Sequence, residues 1–100
     1  MTAVRDTYMR DYGIDHDTEQ KILKYCKNAR GEAQKEILMM VQMANKDLAN
    51  YLFFNITTGI GYDNMSKIFY VPVQKKDFQG YRRLAIHKIY DWLRLSRRME

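Results

Sequence analysis

One hundred residues, 46% of them hydrophobic, make one domain that can bury a core without metal or disulfide support. A single cysteine, Cys26, excludes an intramolecular disulfide, and no Cys/His group has zinc spacing, so the chain reads as a protein of the reducing cytoplasm with no metal and no cofactor. The net charge of +5 lies wholly in residues 74–100, where eight Lys/Arg face three acids, while residues 1–73 hold nine of each. Any sequence-independent attraction to polyanions must therefore come from the C-terminal segment.

The first 13 residues carry four charges and no apolar stretch, and the longest apolar run, Ile37 to Val41, is far below membrane-spanning length. The chain is expected to be untargeted and to have no membrane partner. One proline and five glycines leave it little interrupted, and Leu, Met, Lys and Gln are frequent, which favours helices. Residues 2–12 suit a short helix with Val4, Tyr8 and Met9 on one side and Gly13 as its stop. Asp15 or Asp17 can cap a second helix whose apolar side is Ile22, Leu23, Tyr25 and Cys26, ended by Asn28, Arg30 and Gly31. A third helix over 32–44 turns Ile37, Leu38, Val41 and Met40 inward. Asn45 then offers a cap to a fourth over 46–57, with Leu48, Leu52, Phe53 and Ile56 apolar; the other reading is one continuous helix through Asn45.

Gly59 and Gly61 end that stretch, and residues 62–69 suit a short helix with Met65, Ile68 and Phe69 inward. Pro72 restrains Val71 to extended geometry and blocks helix continuation, so the next helix starts after Gln74. With about 100° per residue, a helix from Lys75 to Arg97 places Phe78, Tyr81, Ala85, Ile89 and Trp92 on one apolar stripe. Lys76, Gly80, Arg83, His87, Arg94 and Arg98 gather on the opposite side, a basic front that is also what any solvated helix face looks like. The fold expected is all-α: a small multi-helix domain with a long basic last helix. It divides into a helical support over 1–58 and a second part over 59–97.

The order of residues from Gly59 to Phe69 resembles the first helix of the helix-turn-helix in region 4 of sigma factors, with Ser66 at the position where a small residue lets the two helices cross. Residues 73–85, from Val73-Gln74-Lys75-Lys76-Asp77-Phe78 to Arg82-Arg83-Leu84-Ala85, look like its recognition helix. The Pro-Val-x-Lys-x-x-Phe and Arg-Arg-x-Ala arrangement is similar to small prophage regulators of late-gene transcription, the ArpU and RinA type. Residues 54 to 93 carry the resemblance. The turn between the helices is longer than in sigma region 4, and Tyr70 stands where a turn glycine is usual.

What the resemblance implies is a sequence-specific transcription regulator of phage origin with double-stranded DNA as its partner. The N-terminal half of a recognition helix reads base edges, and here it offers Lys75, Lys76, Gln79, Arg82 and Arg83: glutamine reads adenine, arginine guanine. His87 falls to phosphate or solvent. Gly80 lets the helix lie close either to the groove or to another protein element, at a cost of about 1 kcal/mol relative to alanine. Residues 1–53 match no activator element, so contact with RNA polymerase has no residue behind it.

The alternative is a helical interaction module without DNA binding, an adaptor, anti-host factor or assembly component. Met40, Met43, Tyr51 and Phe54 would then include a homodimer face, although methionines and aromatics more often fill a core. No convergent acid, base or nucleophile set exists for an enzyme. His16 and His87 do not pair, Ser66 has its place in helix crossing, Asp77 suits the first turn of a helix, and the Gly59-Ile60-Gly61 pair lacks the lysine and strand of a phosphate loop.

Overall fold

The computed structural model describes residues 4–98, which hold five α-helices and no strand. Helix α1, His16–Asn28, begins where Asp15 accepts the Thr18 N–H at 2.7 Å, and that bond holds the Asp15 carboxyl below its usual range. Helix α2 spans Glu32–Ala44, as the periodicity predicts. It stops at Asn45, whose Oδ1 accepts the N–H groups of Asp47 and Leu48 at 3.0 and 3.1 Å. That side chain breaks what would otherwise be one long helix, and α3 starts at Ala49 after a turn, running to Thr58. Gly59, at φ +81°, closes α3 with its N–H on the Asn55 carbonyl.

Helix α4 is a single turn, Tyr62–Met65, shorter than the expected 62–69. Met65 is buried, but Ile68 and Phe69 point outward, 64% and 41% exposed, because the chain leaves the helix before they can turn in. Ser66 is exposed and its Oγ donates to the Asp63 carbonyl, so it does not line a close helix crossing. The turn accommodates Tyr70 without a left-handed backbone, since among the described residues only Arg97 and three glycines have positive φ.

Helix α5, Lys75–Leu95, crosses the molecule and packs most extensively on α2. Its buried stripe is Phe78, Ala85, Ile86, Ile89 and Leu93. The expected stripe is thus displaced: Tyr81 and Trp92 lie at its half-exposed edge, and Arg82 sits in its middle. The Trp92 indole N–H donates to Glu36 on α2 at 3.1 Å, and Arg98 pairs with the same carboxylate. These two bonds hold the Glu36 carboxyl below its usual range.

The N-terminal segment differs from its expected helix. Of residues 2–12, Thr2 and Ala3 lie outside the described residues; the rest form two 3-10 turns, Val4–Asp6 and Met9–Tyr12, separated by an extended Tyr8. Asp11 accepts the Tyr8 N–H at 2.7 Å, a local bond that competes with a continuous helix. Gly13, at φ +72°, ends the segment, which lies along α5.

Ile22 and Cys26 of α1, Ile37 and Val41 of α2, and Leu52 and Ile56 of α3 complete one core around α5. Cys26 is 1% exposed, and burial pushes its thiol up from the ordinary 9.0 to about 12. An acid raised in the folded state stays protonated while the unfolded chain ionises, so its contribution to stability is complete below pH 9 and is lost as pH rises towards 12. Denaturant titrations across that window should lose stability with a Cys26-dependent slope of about 1.4 kcal/mol per pH unit, absent from Cys26→Ala. Equal slopes for the two proteins would place the thiol in contact with water.

Candidate nucleic-acid interface

The charge separation written in the sequence is largely undone by folding. Acids of the neutral portion reach the basic segment: Asp63 lies 2.8 Å from Lys75, Asp6 3.8 Å from Lys76, Glu19 3.9 Å from Arg82, and Glu36 pairs with Arg98. Asp77, besides standing in the first turn of α5, receives Arg5 at 3.3 Å.

The six residues singled out from the sequence divide into two groups. Lys75, Lys76 and Gln79 are exposed on the first two turns of α5. Gln74 caps that helix without a side-chain bond, so its first N–H groups remain open to solvent or an anion. Both lysine pairs are solvent-exposed, and pairs of that kind contribute only about 0–1 kcal/mol. The lysines can therefore exchange a carboxylate for a phosphate at small cost.

Arg82, Arg83 and His87 have protein partners. Arg82 donates from Nε to the Asn55 Oδ1 at 2.7 Å, and burial holds its guanidinium below the usual arginine range. Arg83 donates from Nη2 to the Arg5 carbonyl at 3.3 Å. His87 stacks on Tyr12 with ring centroids 4.4 Å apart, and its Nε2 lies 3.4 Å from Asp91. The middle of the face expected to be a free basic front, Gly80, Arg83 and His87, is covered by residues 4–12, while Lys76 and Arg94 stay exposed. Gly80 shows why that cover seats so closely: a Cβ there would fall 2.5 Å from the Val4 carbonyl oxygen and 2.8 Å from the Arg5 Cα. Its close approach is to protein.

Asn55 escaped the sequence reading. Among the described residues it is the one buried polar side chain, 6% exposed, donating to the Ile60 carbonyl at 2.8 Å while it accepts from Arg82. It thereby ties the loop before α4 to the middle of α5. The available signal is an asparagine flanked by the apolar Leu52 and Ile56 of one helix face.

Among the described residues no group of three His, Cys, Asp or Glu could hold a metal ion, and no helix is long and apolar enough to cross a membrane. No family model matches the chain, and no curated protein or solved structure does either.

Proposed function

We propose that this protein is a DNA-binding regulator of phage or prophage type that enters the major groove with the first two turns of α5. The observation that carries the reading is the exposure of Lys75, Lys76 and Gln79 together at the uncapped start of the longest helix. Two lysines and the helix N-terminus supply attraction to phosphate, and the amide of Gln79 supplies a group able to read adenine. Residues 4–12 cover α5 from Gly80 to His87 and touch its first turn through the Arg5–Asp77 and Asp6–Lys76 pairs, while Lys75, Lys76 and Gln79 stay exposed at the end that reads bases in helix-turn-helix proteins.

Selection from random duplexes at near-physiological salt should enrich a site. Lys75→Ala and Lys76→Ala should each lower the logarithmic salt slope of binding by about 1, whereas Gln79→Ala should relax preference at one base pair and leave the slope alone. Enrichment of nothing, tried with every oligomer present, would end the DNA reading.

A second reading rests on a different surface. Ile68 and Tyr70 are 64% and 84% exposed, and beside them Phe69 meets Phe54 edge-on at 5.4 Å. Met39 and Met43 add exposed apolar area on α2. Exposed apolar side chains of this kind suit a protein partner or a second copy of the chain, and the interaction module is what remains if no duplex is selected.

A further inference from the structure

A cavity of about 270 Å³ opens between the end of α3, the start of α4 and the first half of α5. Gln79, Arg82 and Arg83 are the polar part of its α5 wall beside Phe78, Asn55 and Tyr62 are among the residues opposite, and no carboxylate lines it. At the Gly59 rim stands Lys27, whose Nζ would lie 3.1 Å from a Cβ at that glycine. Among the described residues one carboxylate comes within 4.0 Å of either arginine: Glu19, 3.9 Å from Arg82 Nη1 and too far for a hydrogen bond, so three cations are set against one anion.

Two further details mark the place as incomplete. Arg82 spends only Nε, on Asn55; among the described residues its terminal nitrogens have no hydrogen-bond partner. Among the described residues Arg83 Nε is buried with no hydrogen-bond partner, and a buried N–H without an acceptor calls for an explanation. The Arg82 guanidinium is held below its usual range by burial and by the like charge of Arg83, so an anion between them would relieve both effects.

We propose that this cavity is a binding site for one phosphate group. Guanidinium pairs favour the several oxygens of a phosphate, and the local surplus of two positive charges matches a phosphate dianion. The volume holds a phosphate together with part of the ester attached to it, since a water in the liquid occupies only about 30 Å³. The group can belong to a nucleic-acid backbone or to a soluble phosphate ester. The site shares Gln79 with the DNA reading but neither exposed lysine, so phosphate binding there does not require that reading.

The test is a titration of the full chain with inorganic phosphate, following the arginine Nε–Hε signals by NMR, against sodium chloride at equal ionic strength. The Arg82 and Arg83 signals should shift saturably with phosphate and not with chloride. Gln79→Glu, which puts a carboxylate on the exposed rim without touching the core, should weaken phosphate at least about tenfold, the equivalent of one charge-assisted bond. Gln42→Glu, the same charge change on the outer face of α2, should leave affinity within about twofold. Absent or unsaturable shifts, equal response to chloride, or equal loss in both variants would overturn the site. Repeating the titration with a short duplex present assigns the source: competition identifies a backbone phosphate, and undisturbed phosphate binding identifies a soluble ester. Either result supports the cavity as the site, and the second would stand even if no duplex site were ever selected.

Discussion

Phe78→Ala should cost about 3–5 kcal/mol of unfolding free energy, the usual range for removing a fully buried phenylalanine ring. Phe78 is 1% exposed and belongs to the α5 stripe that closes the core, and its ring meets Tyr62 at 5.5 Å between centroids. Tyr62 in turn donates its hydroxyl to the Val73 carbonyl at 2.6 Å, across the turn that joins α4 to α5. The ring therefore supports both the core and the geometry of the turn. Lys76→Ala, two residues earlier on the exposed side, should change stability by less than about 0.5 kcal/mol. Urea denaturation of the two variants decides the matter: equal losses would mean that α5 is rotated from the orientation described.

The elements that were legible in the sequence are those set by local chemistry. The Asp15 cap, the Asn45 break, the Gly13 and Gly59 stops and the span of α2 each follow from a side chain acting on backbone within about one helical turn. What was not legible depends on contacts distant in sequence. The α5 stripe is displaced because Arg82, a charged residue the pattern gives to DNA, lies on the core side, where Asn55, 27 positions earlier, gives its Nε a partner. No periodicity argument accepts an arginine within an apolar stripe unless that partner is already known.

The interface shows the same division. Lys75, Lys76 and Gln79 emerge on the surface as the α5 pattern suggests, but Arg83 and His87 are met by Arg5 and Tyr12 from the opposite end of the chain. Ile68 and Phe69 fit a helical pattern that the chain abandons at Met65, and the sequence contains no stop residue there to announce it.

Gly80→Ala should invert the usual sign of a glycine-to-alanine change in a helix. In an open helix alanine is favoured by about 1 kcal/mol. Here the added carbon would meet the Val4 carbonyl and the Arg5 Cα, backbone atoms that cannot rotate aside as a side chain can. Residues 4–12 must shift or lift, weakening the Arg5–Asp77 pair at 3.3 Å, the Arg83 bond to the Arg5 carbonyl and the stack of Tyr12 on His87. Overpacking of this kind costs about 1–3 kcal/mol, so the full-length variant should be less stable than the parent and more quickly cut by trypsin at Arg5 and Arg10. In a chain lacking residues 1–7 the clash is gone, and the same substitution should become stabilising by about 1 kcal/mol. That reversal forms a thermodynamic cycle in which the coupling belongs to the contact between Gly80 and the N-terminal segment. If Gly80→Ala stabilises the full-length chain as it does the truncated one, the segment is not seated on α5, and Arg83 and His87 return to the free basic face that the sequence pattern describes.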